Sequence, residues 1–192
     1  MKEPKITVST GLLIFLCAQG AFDPYGSFVP YILSVILHEL GHVLVLNLLK
    51  IKIYTIHGFL GTIEIRTPPL TYKQEWQVGA AGPLVNGLLI MLYYHRSDVM
   101  SFVNTILLCY NLLPFYPLDG GRILRSVLRL SMTVTGAEHW ERIIGIVTYT
   151  ALLCGAFYII FRFRCGLWPI ILWGMIFYRT ADSLFPYMSQ RE

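Results

Sequence analysis

Residues 26–49 read GSFVPYILSVILHELGHVLVLNLL, an apolar run long enough to cross a lipid bilayer, interrupted by His38-Glu39-Leu40-Gly41-His42. Backbone groups in lipid need partners within their own segment, so this run is expected to be a helix. Residues four apart share a helix face, which sets His38 and His42 side by side with Glu39 next to them. Two imidazoles at that spacing can bind one metal ion, and the adjacent carboxylate is placed to take a proton from an activated water. With 5 histidines in 192 residues, chance supplies H-E-x-x-H in only about 0.5% of chains of this composition. The plain alternative is a polar trio packed against other helices. It leaves three costly intramembrane groups without obvious partners, and such groups are functional candidates by default.

The rest of the chain fits that setting. It is 55% hydrophobic and only 14% charged, against roughly 25% charged in ordinary soluble domains. Its mean hydropathy is +0.59. A soluble enzyme with an ordinary core is excluded on this composition, and no ten-residue alternation suggests a membrane barrel. Six apolar runs stand out, at about 8–21, 26–49, 76–94, 98–113, 138–161 and 166–185. The expected fold is an all-α polytopic membrane protein of about six spans. The first run follows Lys2 and Lys5 but lacks a small-residue cleavage site, so it is expected to stay as a span. With the N-terminus inside, 12 of the 15 basic residues fall on inner segments, which predicts both termini cytoplasmic. The net charge of +4 then reads as orientation in the bilayer, not as a nucleic-acid surface. Cys17, Cys109, Cys154 and Cys165 form no C-x-x-C pair and are expected to be small packing residues.

Two connecting segments carry structure of their own. Residues 51–56 and 62–66, rich in β-branched side chains, flank a turn at 57–61 and predict a short β-hairpin on the membrane surface. An edge of its 51–56 strand could hold an extended substrate, or the hairpin could plug the inner mouth. Pro114 and Pro117 break the fourth run. A basic amphipathic helix is expected next, with Arg122, Arg125 and Arg129 reaching the headgroups. His57, His95 and His139 are expected in connecting segments as interfacial residues, and Glu64 and Glu75 as solvated acids. Trp76, Trp140 and Trp168 suit membrane-interface belts.

A catalytic zinc usually takes three protein ligands and keeps one position for water. By depth in the predicted topology, Asp119 leads as the third ligand and Asp182 is second; Asp23 and Asp98 fall on the outer side. Here the chain resembles a known family. His38-Glu39-Leu40-Gly41-His42, Ala81-Gly82-Pro83-Leu84-Val85-Asn86 and the stretch from Asn111-Leu112-Leu113-Pro114 to Asp119-Gly120 look, in order and spacing, like three signatures of the site-2 protease family of intramembrane zinc metalloproteases. Within it, the likeness is to the subgroup containing the stage IV sporulation protein FB. The resemblance implies Zn2+ bound by His38, His42 and Asp119, Glu39 as general base, and Asn86 and Asn111 near the substrate backbone. For Asn86 two chemical accounts stand side by side, contact with substrate and a helix–helix hydrogen bond.

The 24 residues between Asn86 and Asn111 leave no room for the PDZ domain of some relatives, and the short tail after the last run leaves none for a CBS domain. A single domain over 1–192 is therefore expected, its catalytic core at about 26–133. The expected partners are the lipid bilayer, a membrane-protein substrate such as a membrane-tethered pro-sigma factor, and integral-membrane regulators, with no nucleic acid. The expected location is a bacterial cell membrane or the membrane around a forespore. Two other classes compete with a protease: a zinc-binding membrane scaffold, against which all four catalytic positions are filled, and a metal transporter, which would need several metal stations along a pore. No G-x-S motif supports a serine nucleophile.

Overall fold

The computed structural model describes residues 5–21, 23, 26–59, 62–163, 170, 173 and 174. The chain divides into two compact units, Met1–Asn111 and Leu112–Glu192.

In the first unit, strand β1 (Lys5–Val8) leads into helix α1 (Thr10–Ala21), followed by α2 (Phe28–Leu48), β2 (Thr55–Phe59), β3 (Thr62–Arg66), α3 (Tyr72–Tyr93) and α4 (Asp98–Asn111). Helix α2 starts where the Asp23 carboxylate accepts from the backbone N–H of Ser27 and Phe28, at 2.9 and 2.8 Å. That carboxylate satisfies donors a helix start leaves over, so Asp23 serves as a cap. The helix ends in a Schellman motif. Lys50 N–H donates to Asn47 O and Ile51 N–H to Leu46 O, with Lys50 at φ 55° in the left-handed region. Helix α3 opens with a capping box between Thr71 and Gln74.

Helix α2 is apolar outside and polar inside. Val29, Leu33, Ile36, Leu40, Leu44 and Leu48 form an exposed stripe, while Ser34, His38, Gly41, His42 and Leu46 are buried. This reverses the pattern of a water-soluble helix and is how a span faces lipid. Three described helices are long and apolar enough to cross a bilayer: α2, α3 and, in the second unit, Val134–Arg162. The chain is a membrane protein. The other two expected spans in the described region fall short. The first run is split between strand β1 and α1, whose 12 residues reach only about 18 Å. Helix α4, stopped before Pro114, has 14 residues and reaches about 21 Å, against about 30 Å of hydrocarbon. The sixth run, with Trp168 and Asp182, lies almost wholly outside the described residues.

The hairpin is present but larger and shifted. Its first strand starts at Thr55, not Ile51, and β2 pairs antiparallel with β3 from Thr55↔Arg66 to Phe59↔Thr62. On the other side β1 pairs parallel with β2, Lys5↔Thr55 to Val8↔Gly58, giving the order β1-β2-β3. Because β2 is the central strand, its 55–56 end offers no edge, and residues 51–54 form no strand. The outer strands are β1 and β3. His57 lies within β2, its Nδ1 2.7 Å from Thr7 Oγ1, rather than in a turn. Glu64 is exposed and pairs with Arg66 at 3.0 Å.

In the second unit, α5 (Asp119–Ser131) and α6 (Val134–Phe163) form a helical pair. Gly120 and Gly121 begin α5 because a Cβ at either would strike the backbone of Leu112, Leu113 or Phe115. Phe115 is buried and stacks on Tyr149, ring centroids 4.1 Å apart. The amphipathic helix is where it was expected, but its arginines are engaged within the protein. Arg122 lies 3.9 Å from Asp119, Arg125 stands 5.2 Å over the Tyr116 ring, and Arg129 meets Glu138 and Glu141 of α6 at 3.4 and 3.6 Å. His139 belongs to α6, not to a connection. Cys17, Cys109 and Cys154 are unpaired thiols on exposed faces rather than interior packing residues.

Candidate metal centre

His38 and His42 are both 5% exposed, one turn apart on the buried face of α2 where it meets α3. Close approach of the two helices depends on Gly41, where a Cβ would fall 3.0 Å from the Ala81 carbonyl and 2.8 Å from Val85. Each imidazole is oriented through Nδ1. His42 Nδ1 lies 2.7 Å from the Val78 carbonyl and His38 Nδ1 2.5 Å from Asn86 Oδ1. A carbonyl or amide oxygen only accepts, so in both neutral rings Nδ1 carries the proton and donates. Nε2 is then the lone-pair nitrogen of each ring, and the two Nε2 atoms are 3.2 Å apart.

Two lone pairs at that distance repel unless a cation lies between them. Two nitrogens bound at 2.0–2.1 Å to one tetrahedral zinc stand about 3.3 Å apart. The donor set and its spacing therefore fit zinc. Gly82 keeps the space clear, since a Cβ there would lie 2.5 Å from His38 Nε2 and 2.5 Å from His42 Nε2. The motif Ala81-Gly82-Pro83 contained this residue, but only the fold shows that its missing side chain matters.

Glu39, half-buried, follows His38 on α2. Asn86 is wholly buried, with both ends of its amide engaged. Oδ1 meets His38, and Nδ2 donates to Asn104 Oδ1 at 2.8 Å. Asn86 thus makes a hydrogen bond between α3 and α4. Asn104 and Ser34, also 0% exposed, were not singled out from the sequence, although each is a polar residue inside an apolar run. Asn111 is half-buried at the end of α4, and Asp119, 7% exposed, is the first residue of α5. A helix N-terminus favours a carboxylate through its dipole and spare N–H groups.

Residues 94–154 match the family model described as Peptidase family M50. The chain is 33% identical over 115 residues to Zinc metalloprotease MJ0392 of Methanocaldococcus jannaschii, covering 53% of this chain and 34% of that protein. It is 29% identical over 176 residues to the stage IV sporulation protein FB of Bacillus subtilis, covering 84% and 58%. The chain thus spans about a third to somewhat over half of these relatives. The fold is that of the solved site-2 protease from Methanocaldococcus jannaschii, with a TM-score of 0.62 at 22% identity over 96% of this chain and 93% of that one. The apolar helices, the paired histidines and these likenesses agree: the chain is similar to the site-2 proteases of peptidase family M50, whose cofactor is zinc.

Proposed function

We propose that the protein is an intramembrane zinc metalloprotease that hydrolyses a peptide bond in or beside a membrane-embedded segment of another protein. The observation that carries this reading is the pair of Nε2 atoms 3.2 Å apart, each in a ring whose Nδ1 is already committed to an acceptor, with Glu39 adjoining. Asp119 is the third ligand in this proposal. Its support is the third sequence motif, its burial and its place at the start of α5.

Zinc, when bound, brings the pKa of a water to about 7 and polarises the scissile carbonyl. The chain's own groups do the rest. His38 and His42 hold their lone pairs toward one point. The Glu39 carboxylate accepts the proton of the attacking water as general base and returns it to the leaving amine as general acid. Gly82 leaves room beside the histidines. Asn111, at the end of α4, is the proposed contact for the substrate backbone, by resemblance. A membrane-tethered pro-sigma factor is the proposed substrate, by likeness to the sporulation-type relative, and integral-membrane regulators are the proposed partners. The 12-to-3 distribution of basic residues supports cytoplasmic termini.

The test is Glu39→Gln in the detergent-purified full chain, assayed on a membrane-tethered reporter. The variant is expected to keep its zinc and to lose cleavage by at least about 100-fold, the lower end of what general acid–base catalysis contributes. Cleavage at the normal rate would refute the role of Glu39.

A further inference from the structure

The hydrogen bonds that lead from His38 through Asn86 and Asn104 run in a fixed direction. Asn104 Nδ2 donates to the Met100 carbonyl at 2.8 Å and to Ser34 Oγ at 2.8 Å. The Ser34 hydroxyl in turn donates its own proton to the Pro30 carbonyl at 2.7 Å. Both backbone carbonyls accept only, so Ser34 is left to accept and the Asn104 amide has one allowed orientation. Its Oδ1 must then face Asn86, which makes Asn86 Nδ2 the donor there and turns Asn86 Oδ1 toward His38. An amide flip at either asparagine would oppose donor to donor and acceptor to acceptor in a fully buried site. Ser34, Asn86 and Asn104 are all 0% exposed.

We infer that Asn86 and Asn104, anchored by Ser34, form a directional relay across α2, α3 and α4 that fixes the His38 tautomer with its proton on Nδ1 and so aims Nε2 at zinc. This rests on the zinc reading of His38 and His42. Asn86 and Asn104 are positioning residues: they act on the metal through His38. Partners of this kind fix ring orientation and raise ligand basicity, and losing one typically costs 10–100-fold in metal affinity. A helix–helix glue of the same residues would leave the metal indifferent to which polar atom faces His38. The relay requires an acceptor there.

The experiment measures zinc affinity by competition with a chromophoric chelator, and the visible absorption of the cobalt-substituted protein, in the detergent-purified full chain. Wild type, Asn86→Leu, Asn86→Asp and Asn104→Leu are compared. Asn86→Asp keeps an acceptor for His38 Nδ1–H, and its second oxygen, as a carboxyl O–H, can still donate to Asn104 Oδ1, so it is expected to stay within about tenfold of wild type. Asn86→Leu, apolar and of similar volume, is expected to bind 10–100-fold more weakly, and Asn104→Leu about tenfold more weakly with an altered cobalt spectrum. Structural glue predicts the opposite order at position 86, because a carboxylate suits an apolar helix interface less well than leucine. Wild-type affinity in Asn86→Leu, or weaker binding in Asn86→Asp than in Asn86→Leu, overturns the relay. If the leucine variant does not fold, Asn86→Asp decides alone: near-wild-type affinity supports the relay, and a loss well beyond tenfold overturns it. A wild type that holds no zinc removes the metal reading itself, an outcome visible before any variant is compared.

Discussion

His38 and His42 stand one turn apart on the same face of α2, yet they are held in different ways. His42 donates to the main-chain carbonyl of Val78, a partner that no side-chain substitution removes. His38 donates to Asn86, and behind Asn86 stand Asn104 on α4 and Ser34, back on α2 itself. One ligand is braced by the backbone of α3, the other by a string of replaceable side chains. The site should therefore respond unequally to substitution: tolerant around His42 and sensitive along the relay to His38. The relay also explains how strongly polar groups persist in an apolar core, since each donor or acceptor in it has a partner and none is buried unsatisfied.

The largest expected effect strikes both ligands together. Gly82→Ala puts a methyl group 2.5 Å from both Nε2 atoms. Zinc affinity is expected to fall by at least about 100-fold, beyond any single orienting partner, and metal analysis of the purified variant checks it. Unchanged zinc would mean that α3 moves freely relative to α2. Next, Val78→Ala separates packing from orientation. Val78 is 2% exposed, so truncation is expected to cost about 1–2 kcal/mol of stability. Zinc affinity should stay within about twofold because the carbonyl remains; a thermal melt and a chelator competition read the two effects. A large zinc loss here would erase the contrast between the histidines. Ser34→Ala removes only the far anchor of the relay, while the Met100 carbonyl still orients Asn104. A stability loss of about 1 kcal/mol with less than a tenfold loss of zinc affinity is expected. Smallest is Lys50→Gly at the end of α2, which relieves a left-handed residue and should add up to about 1 kcal/mol without touching zinc binding.

What could be read from the residues followed their range of interaction. The four-residue spacing of His38 and His42 is local, and the fold brings their Nε2 atoms to 3.2 Å. The apolar runs of α2, α3 and α6 were legible because lipid demands length and hydropathy alone. The expected six spans are not confirmed: three described helices meet that rule, and the segment leading into the first run packs within the protein. Lys5–Val8 pairs with β2, fifty residues later in the chain, and no periodicity in either segment announces a parallel partner. The same pairing made β2 central and removed the edge expected at 51–56. Asn104 and Ser34 sat in plain view as polar residues in apolar runs, but their direction of hydrogen bonding depends on Pro30 and Met100 carbonyls that only the fold identifies. The sequence pattern sends Arg129 toward the headgroups because nothing in the helical periodicity of α5 reveals Glu138 and Glu141 on α6. Depth alone puts Asp119 first and Asp182 second, and the motif resemblance decides between them.

The central proposal is that this membrane chain binds one zinc ion through His38 and His42, with Asp119 as the proposed third ligand. The most direct measurement is the zinc-to-protein ratio of the detergent-purified wild type beside Asp119→Ala. A ratio near one in wild type and a clear loss in the variant are expected for a three-ligand site. A wild type free of zinc, or an Asp119→Ala protein that retains it undiminished, would contradict the account.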